Sequence, residues 1–99
     1  MLTELLLDGK ELKTMDSFHQ EFKTRLLFPD YYGHNLDALY DCLMDYAAAP
    51  LVIRWIHFED SRRQLGERVH ALVQVLRDAA SEMPGLELII ENGGTSEQG

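Results

Sequence analysis

Three short apolar runs, separated by longer stretches with helical periodicity, constrain the fold of this chain most strongly. The runs cover residues 3–7, 51–56 and 86–90 and have the aliphatic, β-branched and aromatic content of strands. Helices between successive strands are typical of a parallel sheet with crossover connections. The sequence therefore predicts an α/β fold in which about four helices pack on a small three-stranded parallel sheet. Because the sheet is small, helices on one face are sufficient to cover it.

The first predicted helix follows the first strand. Thr14 and Asp16 are candidate N-caps, and Pro29 ends the helix because the residue before a proline resists the α conformation. Gly33, in the short loop that follows, is free to adopt positive φ. The expected apolar face of this helix consists of Phe18, Phe22, Leu26 and Leu27.

The second predicted helix carries a stripe of three aspartates. Asn35 is a good N-cap for this helix, and its apolar residues recur at i, i+3 and i+4. Asp37, Asp41 and Asp45 lie across from the apolar face, where like charges four residues apart oppose helix formation by roughly 0.2–0.5 kcal/mol per pair. From residue 28 to residue 50 there are four acidic residues and no Lys or Arg. A solvated face normally interleaves basic residues, so the stripe is either an unusual solvated surface or a site for a basic partner.

Two more helices and a tail complete the predicted organisation. A short helix over 58–65 is separated by Gly66 from a longer helix over about 67–82. The last residues, 92–99, include no apolar side chain. We expect one domain over residues 1–91 and a flexible C-terminal tail over 92–99.

Charge and composition exclude several classes of function. A net charge of −8 opposes direct binding to nucleic acid or to an anionic membrane and suits a basic partner. The single Cys42 excludes an internal disulfide and a multi-cysteine zinc site, and we read it as a partly buried small hydrophobe. The N-terminus lacks the features of a secretory signal, and no stretch approaches the roughly 20 apolar residues of a membrane span. A cytoplasmic location is the resulting expectation.

Neither a metal site nor a catalytic site is predicted. No glycine-rich phosphate loop follows a strand, so no nucleotide cofactor is expected. His34, Asp37 and Asp41 could be imagined as metal ligands, but no second acidic cluster accompanies them. Asp37 and Asp41 could act as an acid–base pair only in a cleft that separates their pKa values, which an exposed helix face seldom supplies. We therefore predict no cofactor, no metal and no enzymatic activity.

An aromatic loop beside the acidic stripe indicates a protein interface. Tyr31 and Tyr32 precede the acidic helix by a few residues. Aromatic anchors next to charges that can be desolvated are typical of interface hot spots. Carboxylates spaced along a rigid helix can also take the place of nucleic-acid phosphates, for which the active site of a nuclease is built.

The same stretch resembles a known family. Residues 29–43, PDYYGHNLDALYDCL, are similar to the signature of the barstar family, intracellular inhibitors of the bacterial ribonuclease barnase. The resemblance extends from about residue 7 to residue 90, through PLV at 50–52 and VQVLR at 73–77. It implies a small three-stranded parallel sheet packed by helices, in agreement with the pattern above. It also implies a non-enzymatic inhibitor, an immunity protein or antitoxin, bound one-to-one to a basic extracellular-type ribonuclease or a ribonuclease toxin domain.

The resemblance also implies which residues contact the ribonuclease. Asp41 matches the carboxylate that enters the phosphate pocket, Asp37 a second carboxylate that faces an arginine, and Tyr31 an aromatic that packs on the catalytic histidine. Asp78 matches a peripheral acidic contact. Barstar has tryptophans where Tyr40 and Tyr46 stand here, a glycine in place of Asp45 and a glutamate in place of Asp78. The expected partner-binding residues are Tyr31, Asn35, Leu36, Asp37, Tyr40, Asp41, Asp45, Tyr46 and Asp78. The alternative is an interaction module of the same fold whose basic partner is not a ribonuclease.

Overall fold

A computed structural model describes residues 3–91 and shows a three-stranded parallel sheet with four helices. The order along the chain is β1 (Thr3–Asp8), α1 (Met15–Leu26), α2 (Leu36–Tyr46), β2 (Leu51–Ile56), α3 (Phe58–Leu65), α4 (Arg68–Glu82) and β3 (Leu86–Ile90). The predicted α/β fold is confirmed. The predicted tail over 92–99 lies outside the described residues, so the division into a domain over 1–91 and a tail stays a prediction. No helix within residues 3–91 is long and apolar enough to cross a membrane.

The sheet has β2 at its centre. β1 and β3 both pair with β2 in parallel, with Leu5 opposite Ile53 and Ile53 opposite Leu88. Burial alternates along the strands because successive side chains point to opposite faces. Leu51, Ile53 and Trp55 are fully buried, whereas the residues between them are only partly buried. One face of the sheet therefore carries the core, and the other remains partly exposed.

The core under the helices is built around Trp55. Its ring lies 5.1 Å from the ring of Phe18 on α1, and its indole Nε1 donates a 2.9 Å hydrogen bond to the hydroxyl of the buried Ser61 on α3. The indole N–H therefore keeps a partner inside the core, as a buried polar group requires.

Two local expectations for the segment between α1 and α2 are wrong. Leu27 does not extend the apolar face of α1: it is the left-handed C-cap, with φ of 59°, and its side chain is 82 % exposed. The buried residue is Phe28, because leaving the helix at Leu27 turns the next side chain inward ahead of Pro29. Positive φ occurs at His34, with φ of 46°, and not at Gly33.

Candidate functional site

Asn35 fixes the start of α2 and the end of the preceding loop. Its side-chain oxygen accepts a 2.8 Å hydrogen bond from the backbone N–H of Ala38, and its amide nitrogen donates to the carbonyl of Gly33 at 3.2 Å. One of the free N–H groups at the helix start is thereby satisfied. The structure places Asn35 beside the acidic helix as predicted, but its side chain is engaged in capping. Its direct contact with a partner stays a prediction.

α2 turns one face to α4 and the opposite face to solvent. Leu39 and Leu43 are fully buried, and α2 packs against α4, whose Leu72 and Leu76 are also fully buried. Burying this apolar stripe fixes the rotation of the helix about its axis. The three aspartates Asp37, Asp41 and Asp45 are exposed as a consequence.

A groove between α2 and α4 brings three carboxylates together. Asp37 and Asp41 line it from α2, and Asp78 lines it from α4. Gln74, one turn before Asp78, donates a 2.8 Å hydrogen bond to its carboxylate and so orients it. The remaining lining side chains are half-buried and apolar or aromatic: Leu36, Tyr40 and Val75. The site is thus an open groove lined by three carboxylates and three apolar or aromatic side chains.

These carboxylates have no counter-ions in the free protein. Within residues 3–91, no basic side chain lies within ion-pair distance of Asp37, Asp41, Asp45 or Asp78. By contrast, on α3 two arginines pair with acidic residues of the same helix. A cluster of uncompensated carboxylates creates a negative potential that attracts a cationic partner.

Two further aromatic residues of the site, Tyr31 and Tyr46, meet at the C-terminal end of α2. Tyr31, in the loop, is 75 % exposed, and its hydroxyl lies 2.5 Å from the hydroxyl of Tyr46, the last residue of α2. Asp45, beside Tyr46, is exposed but does not line the groove. Of the nine predicted contact residues, the structure therefore gathers five in the groove and pairs two at the far end of α2. It leaves Asp45 outside the groove and uses Asn35 as a cap.

Two histidines, His34 and His19, support the loop that precedes α2. His34 Nδ1 lies 2.7 Å from a carboxylate oxygen of Asp16, which ties the loop to the start of α1. The buried His19 contacts the hydroxyl of Tyr32 through its Nδ1, and its ring stacks on that of His34 at 5.7 Å. Burial lowers the pKa of His19, and the neighbouring His34 lowers it further. A neutral His19 therefore belongs to the arrangement that supports the loop.

The structure offers no nucleophile or metal centre at this site. Cys42 is buried, and burial raises the pKa of its thiol, with Asp45 and Asp41 adding to the effect. A protonated, enclosed thiol is a packing residue, as the sequence predicted. Among residues 3–91, no group of three His, Cys, Asp or Glu side chains is arranged to hold a metal ion.

Sequence reasoning missed three supporting residues, Gln74, Val75 and His34. Val75 stands one residue before the buried Leu76, and only the crossing of α2 over α4 shows that it reaches the groove. The pairing of His34 with Asp16 joins residues on two different elements. No local pattern signals either contact.

Comparison with known proteins gives a consistent result over nearly the whole chain. A family model described as Barstar (barnase inhibitor) matches residues 2–93. A Bacillus subtilis (strain 168) protein named "Putative ribonuclease inhibitor YrdF" is 35 % identical over 91 residues. The match covers 91 % of this chain and 100 % of that relative.

Proposed function

This chain belongs to the barstar family, and we propose that it inhibits a small basic ribonuclease by inserting the carboxylate cluster of α2 and α4 into the enzyme's active site. The family is described as barnase inhibitor, and the Bacillus subtilis relative carries the name "Putative ribonuclease inhibitor YrdF". Members of this family are inhibitors and not enzymes, which confirms the prediction that this chain is not an enzyme.

The main support for this proposal is that the carboxylates in the groove have no counter-ions among the described residues. Asp37, Asp41 and Asp78 face a common space and lack basic neighbours among the described residues. The active site of a ribonuclease contains cationic side chains that bind the phosphates of RNA. A rigid array of carboxylates can form ion pairs with those side chains in place of RNA. Asp41, in the middle of the stripe, is the residue proposed to fill the phosphate pocket.

The apolar and aromatic side chains supply the desolvated surroundings that such ion pairs need. Leu36, Tyr40 and Val75 are half-buried in the groove, and Tyr31 offers an exposed ring at the far end of α2. Apolar contacts around a charge pair exclude water and strengthen the pair. We therefore assign Tyr40 as the aromatic anchor beside Asp37 and Asp41, and Tyr31 as a second aromatic anchor at the far end of α2.

The partner is proposed to be cationic and bound one-to-one. The net charge of −8 favours fast association with a basic protein and disfavours nucleic acid. A ribonuclease or ribonuclease toxin domain is the class whose active site matches the carboxylate array. We place the complex in the cytoplasm, where the chain would act as an immunity protein or antitoxin.

Affinity capture with matched variants tests this proposal. Immobilised wild-type chain, Asp41→Ala and Asp45→Ala are exposed to the same extract of the native cell, and the bound protein is assayed for RNA cleavage with and without added wild-type chain. The proposal expects a ribonuclease that is retained by wild type and Asp45→Ala, released from Asp41→Ala, and silenced by the added chain. A retained basic protein that cleaves no RNA would instead support the interaction-module alternative.

A further inference from the structure

At the end of α2, the exposed ring of Tyr31 is hydrogen-bonded to the less exposed ring of Tyr46. Tyr31 is 75 % exposed and Tyr46 is 42 % exposed, and their hydroxyl oxygens lie 2.5 Å apart. Within residues 3–91, this is the one hydrogen bond that the Tyr31 side chain makes. The orientation of the Tyr31 ring therefore depends on its contact with Tyr46.

Tyr46 is itself well supported. It ends α2, and its ring centroid lies 6.4 Å from that of Phe28, a buried residue of the core. The ring of Phe28 in turn lies 5.1 Å from that of the buried Tyr32. The core residues Phe28 and Tyr32 therefore support the ring of Tyr46, and Tyr46 holds the exposed ring of Tyr31 through its hydroxyl.

The chemistry of the pair also defines what it presents outward. Each phenol has one hydrogen and can both donate and accept. One hydrogen lies between the two oxygens, and in the free protein the second hydroxyl hydrogen is left to solvent. A tryptophan at position 46, which the resemblance gives to barstar, carries a ring N–H that donates only and could not accept from Tyr31.

We propose that Tyr46 is a positioning residue for ribonuclease binding, which acts by holding the Tyr31 ring through the hydroxyl–hydroxyl hydrogen bond. This role rests on the proposed function. An exposed side chain that is already fixed loses less conformational freedom on binding, so the bond raises affinity without a new contact to the enzyme. It also narrows specificity, because a ribonuclease must accept the ring in the one orientation that Tyr46 allows.

A double-mutant cycle with barnase as the probe tests the role. Tyr46→Phe removes one oxygen and keeps the ring, and the dissociation constants of wild type, Tyr46→Phe, Tyr31→Phe and the double variant are compared. We expect Tyr46→Phe to weaken binding by roughly two- to tenfold. In the Tyr31→Phe background the same change should have no further effect, because the bond is already absent. An unchanged affinity for Tyr46→Phe, or effects of the two changes that multiply, would overturn the role.

A second measurement needs no partner. The hydrogen bond with Tyr31 raises the pKa of Tyr46, with smaller contributions from burial and from nearby ionisable groups. In the free protein, titration of ¹³C-labelled tyrosine rings by NMR should show a lower pKa for Tyr46 in Tyr31→Phe than in wild type. If Tyr46 titrates identically in both while wild type binds barnase, the positioning role fails alone. If wild type binds neither barnase nor a ribonuclease from the extract of the native cell, the proposed function fails and this role falls with it.

Discussion

Replacing Asp41 with alanine should change binding and stability in opposite directions. Asp41 is exposed in the middle of the stripe, lines the groove with Asp37 and Asp78, and has no basic neighbour within the described residues. The free protein therefore loses no ion pair when this carboxylate is removed. The complex loses the carboxylate proposed to enter the phosphate pocket.

The stability of the free protein should rise slightly. Asp41 stands four residues from Asp37 and from Asp45, and relief of these two repulsions contributes about 0.4–1 kcal/mol. Alanine is also the better helix former, by up to about 0.7 kcal/mol. We therefore expect Asp41→Ala to increase the free energy of unfolding by roughly 0.5–1.5 kcal/mol. A urea titration with an unchanged slope measures this as a higher midpoint.

The affinity for the ribonuclease should fall by a larger amount. Truncating one partner of a buried charge pair costs about 2–5 kcal/mol of binding free energy or more, and the complex of barnase with barstar is the known example of this magnitude. Asp45→Ala is the matched control, because it removes the same group from the same helix outside the groove and should cost under about 1 kcal/mol. Equal losses of affinity for the two variants would contradict the special role of Asp41 in binding. An Asp41→Ala protein less stable than wild type would show that Asp41 stabilises the free fold.

Three further predictions follow from the charges and caps of the structure. Association with the ribonuclease should slow at least about tenfold between low and physiological salt, and Asp45→Ala should act mainly on the association rate, so stopped-flow rates that barely change with salt would contradict steering by the acidic surface. The lowered pKa of His19 means that the unfolded chain binds a proton more readily than the folded one, so stability should be full above about pH 6.5 and fall as the pH drops below it. The urea midpoint should change less with pH in His19→Gln than in wild type. The control is His70→Gln, at an exposed position, which should behave like wild type. If the midpoint changes equally with pH in all three proteins, protonation of His19 does not control the stability. Asn35→Ala should lower the free energy of unfolding by about 1 kcal/mol, whereas Asn35→Asp should keep most of it, and equal midpoints for Asn35→Ala and wild type would show that the cap is dispensable.

The elements of the fold could be predicted because their signals are local. Each strand is an apolar run bounded by turn residues, and α2 begins one residue after the cap that Asn35 provides. The prediction that Leu27 belongs to the apolar face of α1 was wrong because apolar spacing cannot distinguish a residue in the last turn of a helix from the C-cap residue that follows it. In the structure the left-handed conformation at Leu27 exposes its side chain, and Phe28 is buried instead.

The candidate site was predictable only in part because it joins two helices. The stripe on α2 is visible in the sequence as a spacing of four residues. That Asp78 lies in the same groove depends on how α4 packs against α2, and periodicity alone does not provide this; it came from the resemblance to barstar. The hydroxyl pair of Tyr31 and Tyr46 is likewise a contact between a loop and a helix end, for which no local pattern exists.

Titration of ribonuclease activity tests the central claim most directly. The ribonuclease captured from the extract of the native cell, held at a concentration far above the dissociation constant, is mixed with increasing amounts of the wild-type chain, and the initial rate of RNA cleavage is recorded. We expect a linear loss of activity that reaches zero at about one equivalent, with no RNA cleavage by the chain alone and a shifted, curved loss for Asp41→Ala. Cleavage that continues at full rate with excess chain, or that stops well below one equivalent, would contradict stoichiometric occlusion of the active site.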